Sequence, residues 1–136
     1  MAEDKKPGGP RKLLVADDNE AIQALVKRTA EKRGHQVIQA TTGKAAIELA
    51  LQTQPDLIVL DLDFPDADGR DVLGKLKADP RTANIPVVVW SGRQGHGSDS
   101  RISLDLGADD YVEKADAQLL ITKLERVLLR IEGGKG

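Results

Sequence analysis

The chain has 136 residues, 20 Lys and Arg against 22 Asp and Glu, a formal net charge of −2, and no cysteine. That length suits one core of ordinary size, and near-balanced charge gives no electrostatic footing for nucleic acid or an anionic membrane. Without thiols, disulfides and thiolate metal sites are excluded; with no apolar run near the ~20 residues of a membrane span and no signal-peptide core, the expected location is the cytoplasm.

Residues 1–10 are charged and then rich in Gly and Pro, which predicts a disordered arm, and residues 132–136 read as a flexible tail. Between them, residues 11–131 form one domain in which strand-like and helix-like patterns alternate five times. Such alternation is the signature of an α/β fold, a doubly wound parallel sheet with helices on both faces. The first strand is expected at about 12–17. Asn19 caps a helix over about 20–33, whose stripe is Ile22, Leu25, Val26, Thr29 and Ala30, with Gly34 closing it. A second strand at about 36–40 leads to a helix at about 43–53. The third strand, about 56–61, is uniformly apolar, as a strand covered on both faces should be. A helix at about 69–78 stops near Asp79-Pro80, and a fourth strand follows at about 86–91.

Beyond Ser91 lies a glycine-rich loop, then Ile102, Leu104 and Leu106 with a period of two rather than a helical one. A short helix at about 98–106 is still expected, because a parallel crossover to the fifth strand (about 109–113) needs a covering element. The last helix, about 116–131, carries the stripe Leu120, Leu124, Val127, Leu128 and Ile131. Leu119, Ile121 and Leu129 fall outside it and are read as edge-of-core packing, with a partner or dimer face as the alternative. His35 and His96 have no second ligand nearby in sequence and are read as solvated.

Four strands end on residues that phosphoryl chemistry on a carboxylate would need: Asp17-Asp18, Asp61, Ser91 and Lys114. Strand C-termini of a parallel sheet share one edge, where open α/β folds bind ligands. Asp17, Asp18 and Asp61 offer only hard oxygen donors, a set that favours Mg²⁺ or Mn²⁺. The competing reading of the pair is a solvated loop capping the first helix. A carboxylate such as Asp61 is a competent nucleophile toward a phosphoryl donor. Lys114 and the hydroxyl of Ser91 would then neutralise and bind the phosphoryl oxygens.

The ordered set Leu13-Leu-Val-Ala-Asp-Asp-Asn-Glu20, Pro55-Asp-Leu-Ile-Val-Leu-Asp61, Phe64-Pro-Asp-Ala-Asp-Gly69, Ile85-Pro-Val-Val-Val-Trp-Ser-Gly92 and Gly107-Ala-Asp-Asp-Tyr-Val-Glu-Lys114 resembles the receiver domains of two-component response regulators, of the stand-alone, single-domain type. The resemblance implies a flavodoxin/CheY-like sheet of five strands in the order 2-1-3-4-5 with five helices. It makes Asp61 the phosphoacceptor, supplied by a phosphohistidine on a sensor histidine kinase or histidine phosphotransfer protein. Mg²⁺ would lie on Asp17, Asp18, Asp61 and the backbone carbonyl of Asp63. Ser91 and Tyr111 would be the switch pair, and Lys114 the phosphate sensor.

The implied output is a surface switched for a downstream protein target, from a monomer or weak dimer, without enzymatic turnover beyond self-phosphorylation and self-dephosphorylation. Where the family usually has Pro after the lysine, this chain has Ala115. Asp63 and Arg93 are candidates for tuning the lifetime of the acyl phosphate from the mouth of the cleft. Two alternatives belong to other classes. Asp61-Leu-Asp63 also resembles the Asp-x-Asp of haloacid-dehalogenase-type phosphatases, although their acidic pair comes last in the chain. The other alternative is a phosphate-independent interaction module.

Overall fold

The computed structural model describes residues 11–92, 103–114 and 117–133. The expected arm, residues 134–136 of the expected tail, Arg93, His96 and Ala115 lie outside the described residues, whereas Glu132 and Gly133, expected in the tail, continue the last helix. The elements run β1 (Lys12–Ala16), α1 (Glu20–Lys32), β2 (Gln36–Ala40), α2 (Gly43–Thr53), β3 (Leu57–Leu60), α3 (Gly69–Ala78) and β4 (Val87–Ser91). Residues 103–105 are helical (α4), followed by β5 (Asp110–Glu113) and α5 (Ala117–Gly133). All strand pairs are parallel, in the order β2-β1-β3-β4-β5, the expected CheY-like topology.

Period-two alternation along the central strands divides the core into two layers. Leu14, Ala16, Ile58, Leu60, Val87 and Val89 face α2 and α3. Leu13, Val15, Leu57, Val59, Val88 and Trp90 face α1 and α5. Both faces of β3 and β4 are therefore covered, which is why those strands read as unbroken apolar runs. Register aligns the functional edge: Ala16 pairs with both Ala40 and Leu60, and Ser91 pairs with Glu113.

Helix ends follow the local signals. Asn19 accepts the Ile22 N–H at 3.0 Å, and Gly34 takes φ +88°, the left-handed position that closes α1. Gly107 adopts φ +107° after α4.

Three side-chain expectations need correction. In α1, Leu25 is 46 % exposed, while Gln23 is buried in its place. The Gln23 Nε2 group donates to the carbonyls of Val15, Asp17 and Ala40 at 2.9, 3.0 and 2.9 Å, so its donors are paired with backbone, while Oε1 is buried without a partner among the described residues. In α5, Ile121 is fully buried, whereas Leu119 and Leu129 are exposed, so the off-stripe residues divide between core and surface.

His35 is buried, not solvated. Its Nδ1 accepts the backbone N–H of Arg11 at 3.0 Å, which places the ring proton on Nε2, 2.9 Å from Glu125 Oε2. Arg33 holds the other oxygen of Glu125 at 2.6 Å. This cluster joins the starts of β1 and β2 to α5. Among the described residues no helix is long and apolar enough to cross a membrane.

Candidate functional site

The sheet brings the expected residues together. β1 stops at Ala16, and the Asp17 N–H closes onto Ala40 O at 3.0 Å, turning the acidic pair over the strand edge. Asp17 is 1 % exposed and accepts the Asn19 N–H through Oδ1 at 2.9 Å, whereas Asp18 is open to solvent. Asp61 follows β3 in the same way. Its N–H donates to Ala16 O at 2.9 Å, and its Oδ1 accepts the Leu62 N–H at 2.8 Å. Asp61 is 4 % exposed. One oxygen from each of Asp17, Asp18 and Asp61 lies within 4.8 Å of the others.

Lys114 enters from the end of β5, with its N–H donating to Ser91 O at 2.8 Å. Its ammonium sits 2.5 Å from Asp17 Oδ2 and 3.4 Å from Asp61 Oδ2. Ser91 is fully buried at the end of β4. Tyr111 is half-buried against the α2/α3 layer, with its phenol oxygen shielded and without a hydrogen-bond partner among the described residues.

Burial raises the Asp61 carboxyl above its ordinary value; Lys114 pulls it back down, and the neighbouring Asp17 charge pushes it up again. Carboxylates crowded into one buried corner, with an ammonium already lodged between two of them, make a site that favours added positive charge. The donor set is all oxygen, so the residues present fit Mg²⁺ or Mn²⁺.

The β3–α3 loop is fixed by contacts that sequence patterning did not reveal. Asp63 and Asp68 form an isolated antiparallel bridge, and the Gly69 N–H donates to Leu62 O at 2.8 Å. A Cβ at Gly69 would lie 2.4 Å from Asp61 O and 2.5 Å from Leu62 Cα, so only glycine lets α3 start this close to Asp61. Farther along, the Asp66 carboxylate accepts the N–H groups of Gly43 and Lys44 at 2.9 and 3.1 Å, while Thr42 Oγ1 accepts that of Ala45 at 3.0 Å. The unpaired donors of α2's first turn are thereby satisfied, two of them from the loop that carries Asp63. Those two bonds hold the Asp66 carboxyl below its ordinary value. Asp63 itself is exposed.

At the entry to β5, Asp109 Oδ2 accepts the Val87 N–H at 2.8 Å, and Lys77 bonds the carbonyls of Ala83 and Ile85 at 3.2 and 2.8 Å. The first aspartate of the Asp109-Asp110 pair is thus a strand clamp rather than part of the acidic site.

A family model described as the response regulator receiver domain matches residues 13–125. The chain is 39 % identical over 122 residues to the DNA-binding dual master transcriptional regulator RpaA of Synechocystis, covering 89 % of this chain and 50 % of that protein. It spans about half the length of the curated relatives it matches. The receiver domain of Francisella response regulator 1452 superposes with a TM-score of 0.81 at 30 % identity, covering 89 % of this chain and 98 % of that one. The Mn²⁺-bound form of response regulator Rcp1 gives 0.72 at 30 % identity, over 90 % and 92 % of the two chains.

Proposed function

The chain belongs to the response regulator receiver-domain family, and on that premise we propose that it carries a signal as a phosphoryl group on Asp61, taken from a phosphohistidine of a sensor histidine kinase or histidine phosphotransfer protein. A carboxylate oxygen of Asp61 forms the new O–P bond as the N–P bond of the donor breaks. The bonding pair stays on the imidazole nitrogen, which takes up a proton. The observation that carries this reading is the Lys114 ammonium lodged between the buried carboxylates of Asp17 and Asp61 at the C-terminal edge of the sheet.

Asp17, Asp18, Asp61 and the backbone carbonyl of Asp63 would hold Mg²⁺ or Mn²⁺, whose bound charge would neutralise the transferring oxygens. Rcp1, a relative by structure, is known in an Mn²⁺-bound form. Lys114 supplies the remaining positive charge, and Ser91 offers a hydroxyl to a phosphoryl oxygen. Tyr111, whose phenol oxygen is buried without a hydrogen-bond partner among the described residues, follows the Ser91 hydroxyl and relays its position to the surface that a downstream protein target reads. Chemistry on small molecules is limited to self-phosphorylation and hydrolysis of the chain's own acyl phosphate.

Intact mass after treatment with acetyl phosphate and Mg²⁺ tests the reading. One added phosphoryl group, lost in Asp61→Asn, supports it; undiminished labelling of that variant places the acceptor elsewhere. Turnover of a small phosphate monoester would instead align the site with haloacid-dehalogenase-type phosphatases.

A further inference from the structure

Trp90 is the only tryptophan of the chain and directly precedes Ser91. It is 4 % exposed, packed in the α1/α5 layer with Leu120, Ile121 and Val112, and its indole N–H is buried with no hydrogen-bond partner among the described residues. An unpaired buried donor is costly, so a residue type that brings one needs an explanation beyond filling space. A leucine would fill much of that space without the penalty.

The explanation lies in the charge that the ring meets. The Lys114 ammonium is 5.5 Å from the Trp90 ring centroid, within range of attraction by the negative face of an indole. Lys114 therefore has three anchors: Asp17, Asp61 and the ring. They differ in how they fare during the proposed reaction. Asp17 Oδ2 cannot serve Lys114 and a divalent cation equally. Asp61 exchanges a carboxylate oxygen for an acyl phosphate. The ring alone is unchanged at every stage, because it neither ionises nor ligates.

We propose that Trp90 is a positioning residue for Lys114. Its ring holds the ammonium at the cleft when Asp17 turns to the metal, so the charge is in place when the phosphoryl group reaches Asp61. This rests on the receiver reading above. Tight packing of the ring against α5 residues supplies the rigidity that such a platform needs.

The test compares the wild-type chain with Trp90→Leu, Trp90→Phe, Lys114→Met and the double variant Trp90→Leu/Lys114→Met. In EDTA, with no donor present, Lys114→Met should change the Trp90 emission, because the charge over the ring is gone; identical spectra would overturn the contact. At saturating Mg²⁺, Trp90→Leu should slow labelling of Asp61 by acetyl phosphate about three- to tenfold, and Trp90→Phe, which keeps a π face, should lose less. In the Lys114→Met background, Trp90→Leu should have no further effect. An equal loss with and without Lys114, or a Trp90→Phe no better than Trp90→Leu, would reduce Trp90 to packing and sink the proposal. Failure of the wild-type chain to label at all would remove the receiver reading and this role with it, a failure told apart because the emission measurement needs no donor.

Discussion

Lys114 lies closer to Asp17 than to Asp61, 2.5 Å against 3.4 Å. Its ammonium thus occupies a carboxylate oxygen expected to bind metal. Removing it frees that oxygen and leaves buried carboxylates facing each other without a counter-charge. Lys114→Met should therefore bind Mg²⁺ more tightly, by on the order of tenfold, the worth of a charged hydrogen bond of ~1.5 kcal/mol. Calorimetric titration measures this directly, and an unchanged or weaker affinity would mean that Lys114 does not compete for the site.

Asp61 gives a pH signature. Burial raises its folded-state value above the ordinary 3.8, so the folded chain binds more protons than the unfolded one in the window just above that value. The group's contribution to stability is complete below pH 3.8 and is lost as pH rises through the raised value. In EDTA, Asp61→Asn should be more stable than wild type at pH 7, and the advantage should shrink as pH falls through that window. Urea melts at several pH values read it. An advantage that is flat with pH would assign the gain to something other than titration.

Gly69 has no room for a methyl group. Gly69→Ala forces a carbon into the backbone of Asp61 and Leu62, and should cost about 2–4 kcal/mol as the loop and α3 move apart. Because the displaced atoms belong to the segment that carries Asp61, Mg²⁺ affinity should fall as well. A loss below about 1 kcal/mol in urea denaturation would show that α3 slides without strain.

His35 joins the far end of the sheet to α5. His35→Ala removes the Nδ1 acceptor of the buried Arg11 N–H and the ring's bond to Glu125, a loss of about 2–3 kcal/mol. Glu125→Gln keeps an acceptor oxygen for one of its two partners, Arg33 or His35, and should cost about 1 kcal/mol. Denaturant midpoints compare the two, and an equal cost would contradict the ordering.

Asp63 is exposed at the mouth of the cleft, where two roles predict opposite rates. As part of a lid with Arg93, its replacement by Asn should speed decay of the acyl phosphate by no more than roughly tenfold, the limit for an exposed ion pair. As a general base, the same change should slow decay by a hundredfold or more. The expected outcome is modestly faster decay, followed by loss of phosphoryl mass over time. An unchanged rate would eliminate both roles.

The strand ends were legible because each apolar run stops on a carboxylate, hydroxyl or ammonium side chain, and a parallel sheet puts those stops on one edge. Asp17, Asp18, Asp61 and Lys114 come together there, and Ser91 ends the neighbouring strand with its carbonyl on the Lys114 N–H. What stayed hidden was polar and distant in sequence. His35 and Glu125 stand 90 positions apart, and Asp66 caps a helix that begins 23 residues earlier. Neither spacing has a periodic signature. Gln23 read as a surface position because a helical pattern scores side chains by polarity, whereas its amide is buried on three backbone carbonyls that only the folded edge assembles. Trp90 directly precedes Ser91 in the sequence, but its place under the Lys114 ammonium depends on β4 and β5 lying side by side.

The paired bonds from Arg33 and His35 give α5 a fulcrum. Apolar packing along the rest of the helix is non-directional and tolerates small rotations, but Glu125 is gripped at both oxygens. Ala117 lies eight residues away, about 12 Å along the axis, so a tilt of about 5° about Glu125 swings the Ala117 end by about 1 Å. The end that swings adjoins Trp90 through Leu120 and Ile121. A displacement beneath the cleft would thus be felt first at the start of α5, away from the bonds that tie Glu125 to Arg33 and His35.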